Sequence, residues 1–227
     1  MATLVLVRHG QASYGQADYD RLSPRGEQQA RTLGPHLAAM KLDALFVGPL
    51  RRQQQTAAFA REAAALPEPT TLPELAEYPA FELVTRLLPK LVAEDPTFAS
   101  LPANPTRELA DRAFKRILHA WARDEWQLEG VERVTDFSTR VRTGLERAMQ
   151  GGGRVGVVTS AGPIGVAVGL VFGVDEHRMV RTSVVIRNAS ITELVYRSKT
   201  FAWHPEHVSL LTFNSIGHLP PDLHTEY

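Results

Sequence analysis

The sequence predicts an α/β protein with a mostly parallel sheet. Short aliphatic runs at residues 3–7, 44–47 and 155–158 have the composition of strands that are buried on both faces. Segments of helical period separate these runs, and strands that alternate with helices are typical of parallel sheets. The chain has 227 residues, which is long enough for one large domain with a substantial core.

The first third of the chain alternates strands with helices. After the strand at residues 3–7, Ser23 and Pro24 predict a helix start, because serine caps helices and proline is favoured at the first helical position. Apolar residues at spacings of three and four then predict one buried face of that helix. A strand at residues 44–47, a helix over 51–65 and a short strand at 70–72 follow.

Residues 79–150 have a mostly helical pattern, which prolines interrupt and three consecutive glycines end. Beyond the glycines we expect a strand at 155–158 and a helix over 163–172. Closing strands are predicted at 184–187, 191–196 and 208–213. We interpret residues 1–227 as a single domain, with 79–150 as a helical insertion, or cap, over the strand ends.

Composition excludes several classes of protein. The chain has 25 lysine plus arginine residues and 25 aspartate plus glutamate residues, so we expect neither nucleic acid nor a membrane as a partner. It contains no cysteine, which excludes disulfides, thiolate metal sites and a cysteine nucleophile. The N-terminus lacks the pattern of a signal peptide, and the most apolar stretch, 162–174, is too short to span a bilayer. We therefore expect a cytoplasmic protein.

Polar residues follow three of the predicted strands directly. Arg8 and His9 follow the first strand, residues 49–52 the second, and residues 159–162 the strand after the glycines. In open α/β sheets, ligands bind beyond the carboxyl ends of the strands. Arginines and a helix N-terminus suit a phosphate group, and a histidine beside them is a competent nucleophile for phosphorus. These residues therefore predict a phosphate site.

Several motifs are similar to those of one known family. The sequence reads LVRHGQ at residues 6–11, DRLS at 20–23 and PLRRQQQTA at 49–57. These blocks resemble the histidine phosphatase superfamily, in the branch that contains the cofactor-dependent phosphoglycerate mutases. Weaker resemblances lie at 75–77 and 214–219. The resemblance implies a three-layer α/β/α fold, phosphoglycerate-mutase-like.

The resemblance also implies a role for individual residues. His9 would be the nucleophile that becomes phosphohistidine, and Arg8 and Arg52 would bind the phosphoryl oxygens. Glu77 would protonate the leaving oxygen and then activate water, with Glu74 and Glu82 as alternatives. The implied partner is a small phosphorylated substrate. No metal ion or cofactor is required, because two guanidinium groups supply the cationic environment.

Two departures from the family pattern concern catalysis. Ser160 stands where the family usually has a second histidine, and losing such a charged donor typically costs about 3 kcal/mol, or ~100-fold in rate. Gly15 stands where many relatives have an asparagine that contacts phosphate, and Gln16 is a candidate substitute. We expect Ser160 to contact the phosphate through its hydroxyl. A second possibility is that His218, in the closing segment, fills the gap.

The departures leave alternatives open. The leading prediction is a phosphomonoester hydrolase with weakened activity. One alternative is a pseudoenzyme that binds a phosphorylated ligand without turnover. A phosphoglycerate mutase is less favoured, because residues 78–81 lack the glycine-containing stretch that follows the glutamate of mutases. The sequence predicts neither the substrate nor the oligomeric state.

Overall fold

The structure, a computed structural model, describes residues 1–13, 19–101, 103, 106–197, 203 and 206–225. Within these ranges, short 3-10 helices lie at Pro73–Leu75, Pro96–Ser100 and Pro221–Leu223. The strands are β1 (Ala2–Arg8), β2 (Ala44–Val47), β3 (Pro69–Thr71), β4 (Arg154–Thr159), β5 (Ile191–Tyr196) and β6 (Val208–Ser215). The helices are α1 (Pro24–Ala39), α2 (Arg51–Ala63), α3 (Ala80–Glu94), α4 (Arg107–Ala122), α5 (Val134–Ala148), α6 (Ala161–Phe172) and α7 (Glu176–Ser183).

The six strands form one mixed sheet in the order β3-β2-β4-β1-β5-β6. Strands β3, β2, β4 and β1 run parallel, whereas β5 is antiparallel to β1 and β6 is antiparallel to β5. The sheet is therefore mostly parallel, as predicted. Because the neighbours β1, β2 and β4 are parallel, their carboxyl ends lie at the same edge of the sheet, where the predicted site residues follow them.

Helices cover both faces of the sheet. Val5 and Val7 of β1 face one side and pack with Leu33 and Leu37 of α1 and Ala57 of α2. The intervening residues of β1 face the other side, because successive side chains of a strand alternate. They belong to a larger core with buried residues of α3, α4, α5, α6 and α7. The three-layer α/β/α prediction is confirmed.

Residues 79–150 contain α3, α4 and α5, as the helical pattern predicts. The interpretation of residues 1–227 as one domain with this region as an insertion over the strand ends stays a prediction. In the part of the chain that the structure describes, no helix combines the length and the apolar character needed to cross a membrane.

One predicted strand is wrong. Residues 184–185 form a turn after α7, residues 186–187 have no regular secondary structure, and the side chains of Val184 and Val185 are exposed. Hydrogen bonds to side chains replace the ladder that a strand would need: the backbone N–H of Arg187 donates to Asn214 Oδ1 at 2.8 Å, and the carbonyl of Val185 accepts from Asn214 Nδ2 at 2.8 Å. In this apolar run only the side chain of Ile186 is buried in the core, so the run does not form the buried face of a strand.

The start of α1 lies against the chain that leaves β1. Ser23 caps α1, as predicted, by accepting a hydrogen bond from Gly26 N at 3.1 Å. A Cβ atom at Gly26 would lie 2.1 Å from the carbonyl oxygen of Gln11, and one at Gly10 would lie 2.5 Å from that of Gly26. Two glycines are therefore required for this close approach, which fixes the loop after β1 to the first turn of α1.

We expect Gly26→Ala to destabilise the protein by about 3 kcal/mol, because the added methyl group meets rigid backbone. Gly217→Ala is the control, since no atom lies within 4 Å of a Cβ at that position, and its effect is expected to stay within about 0.5 kcal/mol. Urea unfolding of both variants measures the difference. Equal stability of the two variants would contradict the proposed role of the contact.

Candidate active site

The predicted site residues meet at the carboxyl edge of the parallel strands. Arg8 is the last residue of β1 and pairs in register with Thr159, the last residue of β4. His9 follows directly, and its backbone N–H donates to the carbonyl of Thr159 at 2.9 Å. Arg52 lies in the first turn of α2, which follows β2. Ser160 is the N-cap residue of α6, which follows β4.

His9 is buried, and both of its ring nitrogens are engaged. Nδ1 lies 2.7 Å from the carbonyl oxygen of Gly10, so it carries the proton and donates it. Nε2 accepts a hydrogen bond from Arg52 Nε at 3.0 Å. Burial, and then the positive charges of Arg52 and Arg8, lower the pKa of His9 well below 6.5. The ring is therefore neutral at pH 7, with a lone pair on Nε2.

Thr56 of α2 fixes the backbone next to His9 through its hydroxyl group. Its hydroxyl donates to the carbonyl of Arg52 at 2.7 Å and accepts the backbone N–H of Gly10 at 3.0 Å. Since the carbonyl of Gly10 orients the His9 ring, Thr56 connects the backbone beside the histidine to the backbone of Arg52. The sequence contained Thr56 as part of the second block, but no spacing rule predicts this contact.

The two arginines are held by oxygen atoms of different kinds. Arg8 Nη1 donates to the backbone carbonyl of Ile186. Burial lowers the pKa of Arg8, while the negative charge of Glu77 opposes that shift. Arg52 Nη1 forms an ion pair with Asp20 Oδ1 at 2.5 Å, and the other oxygen of Asp20 accepts the backbone N–H of Arg51 at 2.8 Å. Asp20 is a residue of the site that sequence reasoning missed.

Glu77 lies against the N-terminus of α6. Its Oε2 accepts the backbone N–H of Gly162 and its Oε1 that of Tyr78, both at 3.1 Å. Removal from water raises the pKa of Glu77, although these two hydrogen bonds and the charges of Arg52 and Arg8 act against the increase. A Cβ atom at Gly162 would lie 2.0 Å from Glu77 Oε1, so the glycine makes room for the carboxyl group.

The other two glutamates have different partners. Glu74 pairs with Arg147 of α5, and Glu82 pairs with Arg86 at 3.1 Å on the surface of α3. Arg140, also in α5, donates to the backbone carbonyls of Glu74 at 2.7 Å and Ala76 at 3.1 Å. Helix α5 therefore fixes the segment that carries Glu77, a contact between distant parts of the chain that the sequence pattern did not predict.

Ser160 has no exposed surface. Its hydroxyl oxygen accepts a hydrogen bond from Gln53 Nε2 at 2.8 Å, and Gln53 Oε1 accepts the backbone N–H of Leu50 at 3.0 Å. The hydroxyl therefore has its own proton left to donate. Gln53 is fully buried, and it is a second residue of the site that sequence reasoning missed.

The side chain of His218 packs against α1. Its ring stacks on His36 of α1 with 5.0 Å between centroids. Burial and the neighbouring His36 lower the pKa of His218 to about 4, so the ring is neutral at pH 7. Within the described ranges, no hydrogen bond joins His218 to His9, Arg52 or Ser160.

Two further expectations concern phosphate contacts and metals. Gly15 and Gln16, the candidates for a phosphate-contacting loop residue, lie outside the described residues. Among the residues that the structure does describe, no group of three or more histidine, cysteine, aspartate or glutamate side chains could hold a metal ion.

Comparison with known proteins identifies the family. The model of the histidine phosphatase superfamily (branch 1) matches residues 4–206. A 2-carboxy-D-arabinitol-1-phosphatase of Triticum aestivum is 43% identical over 61 residues, which are 24% of this chain and 12% of that protein. The chain thus matches about an eighth of the length of this relative.

Solved structures show the same fold at low identity. A phosphoserine phosphatase variant of Entamoeba histolytica in complex with phosphoserine is 19% identical, with a TM-score of 0.62 over 97% of this chain and 100% of that one. A mycobacterial glucosyl-3-phosphoglycerate phosphatase in complex with inorganic phosphate is 20% identical, with a TM-score of 0.65 over 97% and 100%. The match of the family model over nearly the whole chain, together with this fold, shows that the protein belongs to the histidine phosphatase superfamily, branch 1.

Proposed function

We propose that the protein is a phosphomonoester hydrolase that acts through a phosphohistidine at His9. One observation carries the proposal: His9 is buried in the tautomer that has its lone pair on Nε2, where it accepts a hydrogen bond from Arg52 Nε at 3.0 Å. A neutral imidazole is the nucleophilic form, and a cation beside it attracts the phosphoryl group. Membership in a phosphatase family supports the same conclusion.

In the first proposed step, Arg52 Nε exchanges its hydrogen bond to Nε2 of His9 for one to a phosphoryl oxygen. The freed Nε2 forms a bond to phosphorus while the bond between phosphorus and the ester oxygen breaks. Glu77 in its carboxylic acid form gives its proton to the leaving oxygen. The raised pKa of Glu77 supports this role, because it increases the protonated fraction. The alcohol leaves, and a phosphohistidine and a Glu77 carboxylate remain.

In the second proposed step, the Glu77 carboxylate takes a proton from a water molecule whose oxygen attacks phosphorus. The bond between Nε2 and phosphorus breaks, inorganic phosphate leaves, and His9 returns to its neutral form. Arg8, Arg52 and the hydroxyl of Ser160 are proposed to bind the phosphoryl oxygens in both steps. The two guanidinium groups supply the positive charge, without a metal ion or cofactor.

A phosphate-binding protein without turnover is the second candidate. It is favoured by Ser160, a neutral residue at the position where the family usually has a histidine, whose hydroxyl is bonded to the neutral amide of Gln53. In either case the expected partner is a small phosphorylated molecule. A phosphoglycerate mutase is the least favoured of the three, and a cytoplasmic location stays a prediction.

We expect His9→Ala to lower kcat/KM on p-nitrophenyl phosphate by about a thousandfold or more, because the nucleophile is removed. The wild type should also yield an acid-labile phosphoprotein after rapid quenching, and His9→Ala should not. His36→Ala, which removes an exposed histidine of α1, is the control and should retain full activity. Turnover in His9→Ala near the wild-type rate would contradict the mechanism, and wild-type phosphate binding without turnover would establish the second candidate.

Glu77→Gln should slow hydrolysis of an alkyl phosphate more than that of p-nitrophenyl phosphate, since nitrophenolate leaves without a proton.

The first step needs neutral His9, whose pKa is lowered, and protonated Glu77, whose pKa is raised. Wild-type kcat/KM on the alkyl phosphate should therefore be highest at acid pH and fall as pH rises through the Glu77 pKa. This alkaline limb should disappear in Glu77→Gln. An unchanged pH profile would assign the proton transfer to another group.

Ser160→Ala should lower kcat/KM by about fivefold, because it removes one neutral hydrogen bond worth roughly 1 kcal/mol. His218→Ala should leave kcat/KM unchanged, since that ring packs on α1. Both variants are measured on p-nitrophenyl phosphate with thermal unfolding as the check on folding. A collapse of activity in His218→Ala would show that His218 replaces the missing histidine.

A further inference from the structure

Arg52 uses only part of its hydrogen-bonding capacity within the protein. A guanidinium has five N–H donors. Nε donates to His9 and Nη1 donates to Asp20, whereas Nη2 donates to no residue of the described chain. The group is therefore held at two points, on the nucleophile and on a carboxylate, and the donors on Nη2 are available to a ligand.

Asp20 is itself fixed by the start of α2. One of its oxygens binds the side chain of Arg52 and the other accepts the backbone N–H of Arg51, the first residue of the helix. A carboxylate at a helix N-terminus is favourable, because it satisfies a free N–H group and faces the positive end of the helix dipole. The two bonds to neighbouring residues define one orientation of the carboxylate, and through it one orientation of the guanidinium.

Tyr19 adds a third constraint on Arg52. The guanidinium carbon lies 5.6 Å from the centroid of the Tyr19 ring, within the range of a cation–π contact. Only 10% of the Arg52 side chain is exposed, so a guanidinium without its carboxylate would be a poorly compensated cation. An arginine that has four torsions is thus confined by contacts at both ends of its planar group.

We propose that Asp20 is a positioning residue, which holds Arg52 so that Nη2, together with Nε once it has released His9, binds the phosphoryl group that His9 receives. The inference rests on the proposed function for the identity of the ligand. Asp20 touches neither substrate nor the reacting atoms, and it acts through Arg52 alone. A carboxylate that instead competed with the substrate for Arg52 would have the opposite effect on phosphate affinity.

The test measures phosphate binding and turnover in Asp20→Ala and Asp20→Asn. Isothermal titration with inorganic phosphate gives the affinity, and hydrolysis of p-nitrophenyl phosphate gives kcat/KM. We expect Asp20→Ala to weaken phosphate binding about tenfold and to lower kcat/KM by about tenfold to a hundredfold, because small displacements of positioning groups have effects of this size. Asp20→Asn should have a phosphate affinity and a kcat/KM between those of Asp20→Ala and the wild type. Its side chain keeps one oxygen acceptor, where Asp20 has two oxygens that accept from Arg51 and Arg52.

Glu62→Ala is the matched control. Glu62 of α2 pairs with Arg31 of α1 at 2.5 Å in the same kind of arginine–carboxylate bond, but away from the site. This variant should bind phosphate and turn over substrate as the wild type does. Equal phosphate affinity in Asp20→Ala and wild type, or tighter binding in Asp20→Ala, would overturn the inference.

The pKa of His9, followed by NMR titration of its ring, separates this inference from the proposed function. If Asp20→Asn releases Arg52, a positive charge leaves Nε2 and the pKa of His9 rises toward 6.5. If Arg52 stays in place, the loss of a neighbouring negative charge leaves this pKa unchanged or lower, which overturns the inference. Wild-type protein that neither binds phosphate nor hydrolyses the ester would overturn the proposed function, while the His9 titration would still decide the role of Asp20.

Discussion

The hydrogen bond from Arg52 to Nε2 of His9 is the interaction on which the rest of the site depends. It requires a neutral imidazole, because a protonated ring has no lone pair to accept the bond. Burial and two adjacent arginines keep the ring neutral, and the carbonyl of Gly10 selects the tautomer. The parallel strands bring the two residues together, because His9 follows β1 at the same edge of the sheet at which α2, with Arg52, begins.

The charges of the site are coupled to one another. Arg8 and Arg52 are two cations in a poorly hydrated place, and Asp20 and Glu77 are the carboxyl groups near them. Burial raises the pKa of Glu77, so the protonation of this carboxyl group can change during a reaction. A phosphate ester that entered between the arginines would add negative charge beside Glu77 and raise its pKa further. In the proposed reaction, substrate binding would thus itself favour the acid form that the first step needs.

The sequence was sufficient to predict what depends on local pattern. Strand β1 with Arg8 and His9 at its end, the capped start of α1 and the position of α2 all follow from hydrophobic period and capping residues. Glu77 came from a short resemblance, since nothing in its local pattern predicts a carboxyl group on the N-terminus of α6. The family and the fold were predicted correctly because the first two motif blocks are specific together.

The sequence was insufficient where a contact joins distant segments. Asp20 and Arg52 are 32 residues apart, and Gln53 and Ser160 are 107 apart, so neither pair has a periodic signature. The same reason explains the error at residues 184–187. Their apolar composition is compatible with a strand, but the side chain of Asn214, 27 residues beyond Arg187, takes the backbone bonds that a ladder would use.

The side chains around Ser160 leave room for a small neutral residue only. Its hydroxyl and the amide of Gln53 fill a fully buried space. A larger histidine side chain at this position would therefore have to displace the side chain of Gln53 from its bond to Leu50. The backbone N–H of Gly162, a donor at the start of α6, is already occupied by Glu77. Among the described residues that meet at this edge of the sheet, Arg8 and Arg52 are therefore the groups that would supply positive charge to an anion. With the charge concentrated on Arg8 and Arg52, the orientation of each becomes more consequential than in a site with a second histidine, and Arg52 is the one whose orientation depends on a partly exposed carboxylate.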